Sequence, residues 1–142
     1  MAGEYVPRRL RREVLTDAQS RCGYCLRPQS LLPEPLFIEH IIPKSRGGQT
    51  VRENLWQSCW NCNTHKGSRT HARDLVTGRL VPRFNPRSQK WGKVFRWSRD
   101  GLRILGKSAT GRATVVALEL NHDLIVAVRA IWVQMGLHPP TN

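Results

Sequence analysis

Apolar positions fall into short blocks along this chain, and their spacing changes from block to block. After Pro7, Leu10, Val14 and Ala18 recur four residues apart with arginines on the other face, which predicts a basic amphipathic helix ending near Cys22-Gly23. Pro28, Pro33 and Pro35 make residues 26–36 a loop. PLFIEHII is rich in β-branched and aromatic residues and reads as a strand stopped by Pro43, with a turn at Ser45-Arg46-Gly47-Gly48. Residues 49–58 lead through Asn54-Leu55 to the second cysteine pair. CNTHKGSRT predicts a short helix ending near Gly67.

Further along, DLVTGRLVPRFNP suggests a loop or small hairpin around Thr77-Gly78, and VFRWSRDGLRIL a clearer hairpin turning at Arg99-Asp100-Gly101. SATGRATVVALEL reads as a helix capped by Ser108. HDLIVAVRAIWVQM reads as a last helix capped by Asn121 and ended by Gly136 and Pro139-Pro140. These two helices are the most apolar part of the chain and are expected to supply its core.

At 142 residues the chain has room for one domain with a modest core. It contains no apolar run long enough for a membrane span, and its first residues lack an apolar signal region, so a cytoplasmic protein with reduced thiols is expected. Net charge is +13. It is unevenly spread: residues 71–107 carry ten basic and two acidic side chains, residues 108–142 two of each. Such a surplus suits a polyanionic partner, bound through phosphate contacts and counterion release.

Four cysteines stand as two Cys-x-x-Cys pairs, Cys22/Cys25 and Cys59/Cys62. Two such turns can close a tetrahedral site with four thiolates, and a closed site makes the zinc structural. Two disulfides would be the alternative in a secreted protein, but a Cys-x-x-Cys disulfide is strained as a pure staple.

Between the pairs lies Glu39-His40, and Asn63 follows Cys62 at once. CGYC, FIEHIIPKSRGG, ENL and CWNCNTHKG resemble the HNH endonucleases, the ββα-metal nucleases, over about residues 22–70. The zinc-bound layout also resembles phage endonuclease VII, and the later GRLVPRFNPR, WGKVFRW and GRATV segments look like those of small bacterial HNH proteins with a C-terminal extension. The resemblance implies an α+β fold: a treble-clef-like ββα-metal core with structural zinc, then a β-hairpin and a two-helix extension. The expected organisation is a basic N-terminal helix at 1–21, the nuclease core at 22–70, a basic loop and hairpin at 71–107 and a helical packing segment at 108–142.

It also implies roles. His40 is the general base, an imidazole with an ordinary pKa near ~6.5 suiting that task. Glu39 and Asn63 offer oxygens to a catalytic Mg2+ or Mn2+, and Asn54 braces the loop that orients the base. His65 is the rival to Asn63; two residues apart on a helix, the pair should not share a face. Adjacent Glu39 and His40 point to opposite faces of a strand, so serving one phosphate requires a bend or a site at the strand's end. In-line attack would leave 5′-phosphate and 3′-hydroxyl ends. Arg46, Lys66, Arg83, Arg87, Lys90 and Lys93 are candidate phosphate contacts. DNA is the expected partner, with RNA open, no membrane, and a monomer or homodimer.

The competing reading is a non-catalytic zinc module that binds nucleic acid; it accounts for cysteines and charge but leaves Glu39-His40, Asn54 and Asn63 as coincidence. Gly101 to Ser108 fits the G-x-x-x-x-G-K-S phosphate-loop pattern, but its interior is the strand-like LRIL and too little chain follows for a parallel sheet. Trp132 is expected in the core, and Trp91 and Trp97 pack there more readily than they stack on bases.

Overall fold

Residues 5–140 are described by the computed structural model, so the outermost parts of the expected 1–21 and 108–142 segments lie outside it. The chain forms α1 (Arg8–Asp17), β1 (Phe37–His40), β2 (Leu55–Ser58), α2 (Trp60–Lys66), β3 (His71–Arg73), β4 (Leu80–Pro82), α3 (Trp91–Val94), β5 (Phe95–Trp97), β6 (Ile104–Gly106), α4 (Ala109–Ala117) and α5 (Asp123–Gln134). The strands pair as three antiparallel two-stranded sheets, β1 with β2, β3 with β4 and β5 with β6. Over the described residues this is a mixed α/β architecture of small sheets and five α-helices.

α1 stops at Asp17, five residues short of Cys22, because Gln19 and Ser20 both turn left-handed (φ 56° and 54°). Its apolar stripe does what the spacing predicts: Val14, with Leu10, packs on Leu55 of β2 and Ile38 of β1. β1 and β2 are in register from Phe37 opposite Ser58 to His40 opposite Leu55. Both later hairpins form, and Ser108 caps α4 by accepting a hydrogen bond from the Gly111 amide at 3.1 Å. Gly106-Lys107-Ser108 is therefore a strand end and a helix cap, with Lys107 Nζ donating to the Gly92 carbonyl.

Two expectations are corrected. Asn121 does not cap α5. Its Oδ1 accepts from the Ile104 amide at 2.8 Å and its Nδ2 donates to the Ile104 carbonyl at 2.9 Å, extending β6. His122 takes the cap position, Nδ1 accepting from the Leu124 amide. The core also lies elsewhere. It centres on the four cysteines, Tyr24, Phe84, Phe95, Ile104, Leu118 and Leu120, while α5 buries only Ile125 and Arg129 and leaves Trp132 half-buried. α4 does reach this core, and closely: a Cβ on Gly111 would lie 2.4 Å from the Val94 carbonyl oxygen.

Candidate metal centre and its surroundings

The first cysteine pair sits on the turn after α1, and the second straddles the start of α2, where Cys59 is the N-cap and its Sγ accepts from the Cys62 amide. All four Sγ atoms lie within 4.8 Å of one another, and all four residues are buried. Cys25 Sγ and Cys59 Sγ are 3.7 Å apart, far beyond a disulfide. A tetrahedron of ~2.3 Å zinc–sulfur bonds has edges of about 3.8 Å, so the donor set fits zinc.

Arg27, two residues past Cys25, is the member of this centre that sequence reasoning missed. Its Nε donates to Cys25 Sγ and its Nη2 to Cys59 Sγ, both at 3.2 Å, bridging the two pairs. Burial would raise the Cys25 thiol, but hydrogen bonds from the neighbouring cysteines and the Arg27 charge hold it well below the usual thiol range. Outer-shell partners of metal ligands typically contribute about 10–100-fold in affinity. Arg27→Met is therefore expected to speed zinc release to a chromogenic chelator by at least 10-fold with the fold retained. A release rate equal to wild type would remove Arg27 from the centre.

Around β1 the two motif residues part, as the strand period requires. Glu39 is 4 % exposed and faces inward. Tyr24 Oη donates to its Oε1, while Oε2 has no hydrogen-bond partner and lies 3.9 Å from Lys66 Nζ. Lys66, also buried, donates to the His40 carbonyl at 2.9 Å. Burial pulls the Lys66 ammonium below its ordinary pKa, Glu39 opposing and Arg83 adding to the drop. His40 ends β1, with Nε2 2.9 Å from Thr50 Oγ1.

Asn54 ties the loop behind His40. Its Oδ1 accepts from the Ile42 amide at 2.8 Å, its Nδ2 donates to the carbonyls of Ile42 and Gln49, and its own carbonyl accepts from the Ile41 amide. Gly48 completes the closure: a Cβ there would lie 1.7 Å from the Ile42 carbonyl oxygen. On α2, Asn63 is exposed, whereas both ring nitrogens of His65 are engaged, Nδ1 with the Asn61 carbonyl and Nε2 with Glu119 Oε2, each at 2.8 Å. Asn63 and His65 thus face different surroundings.

A cysteine cluster, a loop braced by Asn54 and a helix opening on the second cysteine pair all fall in one stretch of chain. Residues 22–69 match the family model of the HNH endonuclease. No curated protein and no solved structure matches the chain. The HNH segment makes up about a third of the sequence, and it alone contains Cys22, Cys25, Glu39, His40, Asn54, Cys59, Cys62 and Asn63. Among the described residues no second group of three His, Cys, Asp or Glu side chains converges as the cysteines do.

The basic candidates divide by surroundings. Lys66 and Arg83 are buried, and the Arg83 guanidinium lies over the Tyr24 ring. Arg87 stacks on Trp56, bonds the Leu55 carbonyl and pairs with Asp17 Oδ2 at 2.9 Å. Arg52 binds the same Asp17, and the two arginines hold its carboxyl down at about 2, against the opposing effect of burial. Arg46 is exposed and donates to the Ser68 carbonyl. Lys90 and Lys93 are exposed and, with Arg21, Lys107, Trp56 and Trp91, line a cleft beside the first cysteine turn. Trp91 is held there by donating Nε1 to the Tyr24 carbonyl.

Proposed function

We propose that this protein is a metal-dependent endonuclease that hydrolyses phosphodiester bonds of DNA. The match of residues 22–69 to the HNH endonuclease family carries the reading. The antiparallel β1–β2 pair followed by α2 supports a ββα-metal core inside it. His40 takes a proton from the attacking water, its ring oriented by the Thr50 hydroxyl and its backbone held by Lys66 and the Asn54-braced loop.

Buried and without a hydrogen-bond partner, Glu39 Oε2 is a hard donor, and a divalent ion there would take the place of Lys66 Nζ, 3.9 Å away, with the Asn63 amide oxygen as second protein ligand. His65, bonded on both ring nitrogens, is better suited to joining α2 to the C-terminal extension through Glu119. Bound there, Mg2+ or Mn2+ would neutralise charge developing on the phosphate and on the departing 3′-oxygen. The four thiolates hold structural zinc, which fixes the start of α2 and so the placement of Asn63.

Conversion of supercoiled plasmid to nicked circle in Mg2+ or Mn2+, abolished by EDTA, is the test. Zinc-loaded protein that retards DNA on a gel yet leaves the plasmid intact in both metals would return the protein to the non-catalytic zinc-module reading.

Exposed Arg46, Lys90 and Lys93 are the phosphate contacts under this reading, whereas Lys66, Arg83 and Arg87 brace the structure. Each phosphate contact contributes roughly 0.9 to the slope of log affinity against log salt on duplex DNA. Lys90→Glu with Lys93→Glu is expected to weaken binding regardless of base sequence and to flatten that slope by about 2. An unchanged slope would remove the α3 cleft from the interface.

A further inference from the structure

α5 is apolar on two sides, and the fold uses one of them. Ile125 and Arg129 face inward, the Arg129 guanidinium donating to the carbonyls of Leu102 and Leu120. Its neighbour across the helix is a stripe of Leu124, Val128, Ile131 and Met135, all exposed, with Leu124 at 72 %, Ile131 at 56 % and Met135 at 65 %. At 100° per residue these four fall within about 60° of arc. A continuous apolar patch of this kind is often functional on a protein surface.

We propose that this stripe is the contact between two copies of the chain, paired antiparallel about a two-fold axis. The spacing of the four residues is four, three, four, which reads the same from either end. Antiparallel self-pairing therefore sets Leu124 of one copy opposite Met135 of the other and Val128 opposite Ile131, with the axis between Val128 and Ile131. A two-fold contact requires such self-complementarity.

Charge selects the same occupant. The chain carries +13, but residues 108–142 are neutral overall, and Arg129, the one basic residue of α5, is buried. Nucleic acid would need cations here, and a helix lying on a lipid surface usually carries Lys or Arg on its polar face. The stripe and adjacent Leu137 expose on the order of 500 Å2 per chain, toward the small end of specific interfaces, so a reversible dimer is expected.

The inference stands apart from the nuclease reading, because it is tested without nucleic acid. Sedimentation of the zinc-loaded full chain over about 1–100 µM, in enough salt to screen its charge, should show mass rising from 16.3 kDa toward twice that value. Leu124→Glu, Ile131→Glu and Met135→Lys lie on exposed positions and should each give a monomer with unchanged zinc content and circular dichroism. Combining Leu124→Glu with Met135→Lys should restore the dimer, since each new charge then faces its opposite. Three results would overturn the proposal: a wild type monomeric throughout the range, a dimer indifferent to the single substitutions, or a monomer that floats with phosphatidylcholine vesicles. Disruption by Leu124→Glu without rescue in the double variant would overturn the antiparallel pairing.

Discussion

Cys59→Ser is expected to unfold the centre of the protein. Cys59 is one of four thiolates positioned for zinc, the N-cap of α2, and an acceptor of Arg27. It lies among Tyr24, Phe84, Phe95 and Ile104, so the same side chain belongs to the metal cluster and to the main hydrophobic cluster. A structural zinc supplies on the order of 10–16 kcal/mol of folding free energy in small zinc domains, against a net stability of about 5–15 kcal/mol for a whole domain. Losing one ligand of four removes much of the first quantity and so can exceed the second. The expected result is bound zinc falling from one per chain to well below it, with the cooperative thermal transition lost or moved down by more than about 10 °C. Equal melting temperatures for Cys59→Ser and wild type would show that the cluster does not hold the fold.

How far the sequence could be read depended on whether a residue's partner was local. Both later hairpins, the Ser108 cap and the cysteine pairs were legible because turn chemistry, capping and ligand spacing act within a few residues. β2 was not: Leu-Trp-Gln-Ser has no β-branched residue, and it becomes a strand because β1, fifteen residues earlier at the His40–Leu55 pair, supplies its hydrogen bonds. The place of the core was misread for a related reason. Apolar periodicity in α5 says that a face will be covered and is silent on whether the cover comes from the same chain. In the structure the core around the cysteines joins Tyr24 of their own segment to Phe84 and Phe95 of the 71–107 segment, stacked edge to face.

Charge was legible as a total and opaque in its use. Arg27 meets thiolates, Arg87 meets Asp17 and a backbone carbonyl, and Arg129 fills a buried cage of carbonyls. Each of these guanidiniums is spent inside the molecule, where a count of basic residues would place it on the surface. Asn54, to which the family resemblance gives a bracing role, hydrogen-bonds Ile42 and Gln49 of the loop behind His40, contacts that no local pattern in the sequence announces.

His40→Ala is expected to remove cleavage while leaving the fold intact, and the contrast with Cys59→Ser is what gives it meaning. His40 is half-buried at the end of β1, outside both hydrophobic clusters, and losing its hydrogen bond to Thr50 costs about 1 kcal/mol. Zinc content, melting temperature and retention of DNA on a gel should therefore stay close to wild type. A positioned general base contributes roughly 10²–10⁴-fold, so plasmid nicking should fall by at least 100-fold, and the acid limb of the pH–rate profile, which follows deprotonation of the base, should vanish from any residual activity. Full activity in His40→Ala would leave the HNH segment a nuclease fold with its base elsewhere. A loss of activity accompanied by loss of zinc would instead make His40 structural. Only loss of cleavage with zinc, stability and binding preserved assigns His40 to the chemistry, because packing, metal retention and electrostatic attraction to the backbone have then each been shown to survive without it.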